Sequence, residues 1–312
     1  MKIFKNLKIP KNYQRSSLAI GNFDGAHKGH QKVFIHAKKY AKKNNSKFGV
    51  LTFSPLPMMF FNKNIKNYRL ASESQKMNFL KKYGVDFVII IKFNKEFSKL
   101  NPNNFIKNII HEKISPKFIF VSNNFKFGHK RKGNVKLLGK LAKKYKYQLF
   151  KTSPHKQNKK LISSTRIRKA LKNGQIQNAN KLLSRTWHIE GKVIQGKKIG
   201  RKLGYRTCNI HIKDYVLPKL GIYAVKVRII NEKNILRGVG YLGSRPTFKG
   251  KQIFLEINIF GIKKNLYKKR LRVYFLKFIR GDKKFSGSER LVKQMNKDVI
   301  SAKKSLKTKL II

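Results

Sequence analysis

Acidic residues are what this sequence has least of for its size. Only 12 Asp and Glu stand against 75 Lys and Arg in 312 residues, a formal net charge of +63. Such a balance excludes a surface covered in ion pairs, and it attracts polyanions of every kind without choosing among them. The lysines are spread along the whole chain instead of forming a tail, and Lys, Ile, Asn and Phe are abundant together, as a genome poor in G and C would impose. The charge therefore argues weakly for a nucleic-acid arm, and no specific nucleic-acid partner is expected. Cysteine is nearly absent too. Cys208 stands alone, which excludes an internal disulfide and a cysteine-based zinc site and fits a reducing cytoplasm. No stretch approaches the roughly 18 consecutive apolar residues of a membrane span. The opening MKIFKNLKIPKNYQ is basic but lacks the apolar run of a signal peptide. A soluble cytoplasmic chain without membrane insertion is the expectation. No repeat with a period of roughly 20 to 50 residues is visible.

What is present is an apolar fraction of 40%, enough to fill two cores, and 312 residues are more than one core usually supports. The first half alternates strand and helix patterns. SLAIGNF (17–23) and FGVLTFS (48–54) read as buried strands, with a helix between them whose apolar face is Val33, Phe34, Ala37, Tyr40 and Ala41. A strand at 87–93, a helix from about Pro102 to His111, a strand at 118–123 and a helix from Val135 to Tyr145 continue the pattern. This predicts an α/β domain with a parallel sheet. From Trp187 the pattern becomes short strands between glycine turns, then one helix over about Gly287 to Leu306 with Leu291, Met295 and Val299 on its packing side, which predicts a small β-barrel. The boundary is expected at 185/186.

Within GNFDGAHKGH (21–30), Gly21, Gly25 and Gly29 allow tight turning and close backbone approach, and a helix beginning at about His27 offers its first-turn amides and positive dipole end. His27 and His30 are three residues apart, so both imidazoles leave one side of the first turn, which suits a phosphate whose charge grows during in-line attack. A metal fits less well, because no third ligand follows at suitable spacing. In ISSTRIRKALKNG (162–174), Ser163, Ser164 or Thr165 can cap a helix whose apolar side is Ile167, Ala170 and Leu171, and Asn173-Gly174 ends it. Arg166 and Arg168 would then lie in the first turn, where cations are unfavourable unless an anion is present.

The decapeptide resembles the HxGH nucleotidyltransferases, in the form found in bacterial bifunctional riboflavin kinase/FMN adenylyltransferases. The resemblance continues in order through TFSPLPMMFF (52–61), SNNFKFGHKRKG (122–133) and ISSTRIRKALKNG, and into the second half through GKVIQGKKIGRKLGYRTCNI (191–210), RPTF (245–248), NLYKKRLRV (265–273) and FIRGDKKF (278–285). It implies a Rossmann-like FMN adenylyltransferase domain over 1–185 and a riboflavin kinase barrel over 186–312. ATP is the implied substrate with Mg2+, riboflavin enters, FMN is the intermediate and FAD the product.

By resemblance, His27 and His30 act on the transferring phosphate, while Gly21, Phe23, Asp24, Gly25, Gly29, Ser163, Ser164, Thr165, Arg166 and Arg168 bind ATP. Phe53, Pro55, Pro57, Asn124, Phe125 and Phe127 shape the flavin side. In the second domain, Gly196, Gly200 and Gly204 form a cover over phosphates, and Thr207 and Asn209 contact ATP and Mg2+. Glu256 is the base for the riboflavin hydroxyl, and Arg280 is a flavin-phosphate or loop contact. The sequence departs from the family pattern at Leu56 (usually His), at Ser122 and Asn124 (Gly and an acid), at Arg206 (Pro) and at Asn258 (His). Two alternatives stay open at this point: one domain active and the kinase impaired, or a basic RNA- or membrane-surface-binding protein on an enzyme-like fold.

Overall fold

The computed structural model describes every residue except 63, 66, 197–203, 248–249, 263, 308–309 and 312, with backbone alone for 245–247 and 250–252. The chain forms two compact units, Met1–Lys66 with Glu73–Ser163, and Asn67–Ser72 with Ser164–Ile312.

In the first unit, β1 (Lys2–Phe4), β2 (Ser17–Ile20), β3 (Phe48–Ser54), β4 (Phe87–Lys92), β5 (Phe118–Ser122) and β6 (Gln148–Thr152) form a six-stranded sheet in the order β1-β4-β3-β2-β5-β6. Every pairing is parallel. The strands are near-continuous apolar runs because both faces of such a sheet are covered. Alternation divides the runs between two cores. Leu18, Ile20, Leu51, Ile89 and Ile119 join Ile106, Ile110 and Leu138 on one side. Ala19, Val50, Val88 and Phe120 pack on the other with Val33, Phe34 and Ala37 of helix α1 (Lys28–Lys43), and with Leu80 of α2 (Glu73–Lys82). From β2 the chain winds outward through β3 and β4, then returns to the far side of β2 as β5. The crevice at the carboxyl ends of β2 and β5 is thus the topological switch point, where open α/β sheets hold ligands.

Three expected boundaries move. Strand β2, expected over 17–23, ends at Ile20, and Phe23 takes a left-handed φ of 49° that extended geometry does not allow. The helix from Pro102 runs on as a π-helix, Phe105–Ile114, to a left-handed Ser115. The helix from Val135 stops at Leu141, short of the like charges at Lys143, Lys144 and Lys146.

The second unit opens with α3 (Ser164–Lys172) and a further helix, Ile176–Leu183. Then β7 (His188–Ile194), β8 (Thr207–His211), β9 (Gly221–Ile229), β10 (Ile235–Thr247), β11 (Gly250–Ile259) and β12 (Arg270–Gly281) close into an antiparallel barrel in the order β7-β8-β11-β10-β9-β12. Closure leaves no exposed strand edge. Val225, Val227, Leu255, Ile257, Leu271 and Val273 are fully buried at alternate positions. Helix α4 (Ser288–Ser305) packs on the barrel, with Asp298 and Ala302 as its buried residues and Ala302 against Tyr274 and Leu276. The segment Asn67–Ser72, remote in sequence, belongs to this unit. Tyr68 N and Arg69 N donate to Asp214 O at 2.9 and 2.7 Å, and the buried Trp187 donates Nε1–H to Leu70 O at 2.9 Å.

His188 is buried beside Tyr274, and its pKa is pushed down to about 3, first by burial and then by the Arg272 charge. Its neutral form is favoured in the folded state, so the unfolded chain binds the extra proton below the ordinary value of 6.5. Stability present above pH 6.5 is therefore lost as pH falls, at about 1.4 kcal/mol per unit, or about 2 kcal/mol by pH 5. Urea titrations across that window should show this slope in the wild type and its loss in His188→Phe.

Candidate active sites

After β2, Gly21 N donates to Leu51 O at 3.1 Å, and Phe23, Gly25 and Ala26 then take φ values of 49°, 79° and 38°. For the two non-glycine residues this conformation costs on the order of 1–3 kcal/mol each. The ring of Phe23 is buried over Gly21, where a Cβ would stand 3.1 Å from it. The turn delivers His27 to the N-cap of α1, with Asp24 buried beside it in the chain. The imidazoles of His27 and His30 stack at 3.6 Å between centroids, with 19° between planes, and Phe23 meets His30 edge-on at 5.2 Å. Gly29 makes room for the stack, since a Cβ there would lie 3.2 Å from the His27 ring.

A small hairpin, Lys156–Gln157 paired with Lys160–Leu161, lies over this helix start. Ile162 O is 3.6 Å from the position of a Gly29 Cβ. His155 is held below its ordinary pKa by burial and by the charges of Lys32 and Lys28. Lys28 and Lys32 of α1 thus put positive charge beside this helix start, which suits polyphosphate. Sequence reading had passed over His155, whose signal is tertiary.

Ser163 immediately precedes α3, where Thr165 is exposed and Arg166 half-buried. Arg168 corrects the expectation of two first-turn arginines. It is the fifth helical residue and is buried, with its guanidinium 3.7 Å over the Tyr68 ring and Nε donating to Tyr68 O at 2.8 Å.

On the expected flavin side, Phe53 is buried against Phe93 and Phe97. The Ser54–Pro55 peptide is cis, Leu56 is buried, and Pro57 opens a short helix, Pro57–Phe61. Ser122 Oγ donates to the exposed Asn124 Oδ1 at 2.8 Å, and Phe125 stacks on Phe127 at 5.5 Å.

In the barrel, the β8–β11 register sets Thr207 opposite Asn258 and Asn209 opposite Glu256, while Cys208 and Ile210 alternate into the core. Four polar side chains therefore occupy two adjacent rungs of one face. Asn209 is 6% exposed, and its Oδ1 accepts no hydrogen bond among the described residues. Gly196 lies against its amide, and a Cβ there would be 2.2 Å from Asn209 Nδ2. Gly204 takes a φ of 82°, and Gly200 lies outside the described residues, as does Phe248. The departures at 206 and 258 are linked: Asn258 Nδ2 donates to Arg206 O at 2.8 Å, restraining the backbone that a proline would have stiffened. Beside Thr207 a cavity of about 290 Å3 is lined by Val193, Arg206, Cys208, Leu266 and Tyr267. Burial pushes the Cys208 thiol up to about 12, so it is no nucleophile here. Among the described residues no cluster of three or more His, Cys, Asp or Glu could hold a metal. The uncommitted Asn209 Oδ1 and the Thr207 hydroxyl are oxygen donors of the kind a hard cation takes.

Arg280, expected as a flavin-phosphate or loop contact, pairs with α4. Nε and Nη2 reach Asp298 Oδ1 and Oδ2 at 2.8 and 2.6 Å, and Nη1 donates to Gly281 O at 2.9 Å. It anchors α4 to the barrel. Asp298→Ala leaves that guanidinium uncompensated and should lower stability to urea by about 3 kcal/mol, with α4 protection in hydrogen exchange lost first.

Comparison with known proteins agrees with both halves. The FAD synthetase family model matches residues 9–166, and the riboflavin kinase family model matches residues 183–306. A bifunctional riboflavin kinase/FMN adenylyltransferase of Buchnera aphidicola (subsp. Schizaphis graminum) is 38% identical over 97% of this chain and 98% of its own. The Escherichia coli K12 protein of the same name is 32% identical over 92% and 91%. A crystal structure described as a macrolide-efflux protein from Streptococcus pneumoniae shares the fold with a TM-score of 0.82 at 29% identity, covering 95% of this chain and 96% of that one. No helix among the described residues of this chain is long and apolar enough to cross a membrane. The ordered motifs, the α/β sheet followed by the six-stranded barrel, and near full-length identity together place the chain in the bifunctional riboflavin kinase/FMN adenylyltransferase family.

Proposed function

We propose that this protein makes FAD from riboflavin in two ATP-dependent steps, the kinase over 186–312 and the adenylyltransferase over 1–185. The observation that carries the reading is the stacked His27–His30 pair at the helix start beside the switch point, joined in one chain to a barrel face bearing Thr207, Asn209 and Glu256.

In the first step the riboflavin 5′-hydroxyl attacks the γ-phosphorus of ATP, its proton passes to the Glu256 carboxylate, and the bond to ADP breaks. A base so placed contributes about 10² to 10⁴ in rate. Thr207 and Asn209 hold the nucleotide phosphates, with Gly196, Gly200 and Gly204 in the cover. Mg2+ would be held by the Thr207 and Asn209 oxygens, where it would supply charge neutralisation for the phosphates. In the second step an FMN phosphate oxygen attacks the α-phosphorus of a second ATP and pyrophosphate leaves. His27 and His30 donate to the oxygens on which charge accumulates, so the rate comes from positioning and electrostatics and no covalent intermediate on the protein is needed. Gly21, Phe23, Asp24, Gly25 and Gly29 shape that pocket. Ser163, Ser164, Thr165 and Arg166 are assigned to the triphosphate on the family pattern, and Phe53, Pro55, Pro57, Asn124, Phe125 and Phe127 to the flavin. The Asn258–Arg206 bond supports retention of the kinase despite both departures.

The two activities should separate by mutation. His30→Ala is expected to lower FAD formation from FMN by about 10² to 10³ while FMN formation from riboflavin stays at the wild-type rate. Glu256→Ala should do the reverse. Chromatography of flavin products with each substrate decides it, and equal loss of both activities in either variant contradicts the assignment.

A further inference from the structure

Of the charged side chains in the cores, Lys76 on α2 is the single lysine buried among the described residues, at 4% exposure in a chain with 75 Lys and Arg. Nothing about packing asks for it. An α2 position facing the sheet would take Leu or Met without desolvating an ammonium, and a buried ion persists only where partners compensate it. One partner is informative. Lys76 Nζ donates to Thr52 Oγ1 at 3.1 Å, and Thr52, 0% exposed near the carboxyl end of β3, donates to Asn22 O at 3.1 Å.

The direction of this chain of hydrogen bonds is fixed. An ammonium only donates, so the Thr52 oxygen must accept from it, and the one hydroxyl proton is left for the Asn22 carbonyl. Donation from a charged group also polarises the hydroxyl and strengthens its own bond. The carbonyl so held opens the turn in which Phe23, Gly25 and Ala26 are left-handed, and strained backbone persists only where its surroundings over-determine it. Gly21 N to Leu51 O fixes the turn before Asn22, and Gln31 Nε2 to Ala26 O at 2.9 Å fixes its end. The Lys76–Thr52 relay holds the middle.

We infer that Lys76 is a positioning residue for adenylylation: through Thr52 it clamps Asn22 O and so sets the turn that presents His27 and His30. The inference rests on the functional reading above, in which that pair acts on the α-phosphate. Lys76 itself touches no reacting atom in this account.

The test uses the full chain, with FAD formation from FMN and FMN formation from riboflavin measured on the same preparations. Lys76→Met should reduce kcat for FAD formation by about ten- to a hundredfold, the effect of a small misplacement of catalytic groups, with KM for ATP little changed. FMN formation should be untouched. The loss in kcat should persist at assay temperatures well below the melting midpoint of the variant, measured alongside, because removing one partner of a buried charge lowers stability as well. Thr52→Val should reproduce the kcat loss, Thr52→Ser should restore it, and Thr52→Val with Lys76→Met should be no worse than either single change. An FAD-forming kcat within twofold of wild type in Lys76→Met overturns the inference, as does equal loss in Thr52→Ser and Thr52→Val. So does a fall in activity that only follows a fall in melting midpoint. Failure of the wild-type protein to form FAD would instead sink the functional reading.

Discussion

The strained turn between β2 and α1 is the constraint on which the first catalytic half depends. Two non-glycine residues there take left-handed backbone, and one local bond, from Ala26 N to Phe23 O at 3.2 Å, closes the turn between them. The compensation comes from packing and from three hydrogen-bond ties, to Leu51, to Thr52 and to Gln31. In return, the turn lowers His27 onto the cap of α1 and stacks its ring on His30. A relaxed connection could start the same helix, but it would not stack both imidazoles at its start beside the switch-point crevice. Fold and chemistry meet here because the sheet order opens a crevice at the place where the strain is spent.

The barrel solves a different problem with fewer parts. Strand pairing alone sets Thr207, Asn209, Glu256 and Asn258 together, since period-two alternation sends Cys208, Ile210, Leu255 and Ile257 to the core and puts the polar four on the opposite face. A one-residue slip would bury Glu256 and expose its neighbours, so the apolar pattern guards the site. Asn258 contributes a second function by gripping Arg206, which shows two unusual residues acting as one local arrangement. The closed barrel is held to α4 by the Arg280–Asp298 pair, a partner that the sequence does not mark.

Much of this was readable from the chain. The buried face of α1, the β3 strand, the polar-to-apolar alternation around Glu256 and the helix over 164–172 all follow from local periodicity and capping, and each forms as the pattern dictates. What was not readable is long-range. Asn67–Ser72 joins the barrel unit through Asp214 and Trp187, more than a hundred residues away, with no local mark. Arg168 reads as a first-turn arginine because its nearness to a helix start is visible in the sequence and its partner Tyr68 is not. Lys76 was one lysine among dozens until its burial and its link to Thr52 set it apart. Spacing reports which face a residue occupies, while only the fold reports what waits opposite it.

The account's central claim is a division of chemistry between two ends of one chain, and isotope routing tests it directly. Wild-type protein given riboflavin with ATP labelled at either the γ- or the α-phosphate should place the γ label in FMN and in the flavin-side phosphate of FAD. Among the flavins the α label should appear in FAD alone, in equal amount to the pyrophosphate released, while the ADP from the kinase step keeps its own α label. An α label in FMN, or a γ label that enters FMN with no α-labelled FAD following, would contradict it.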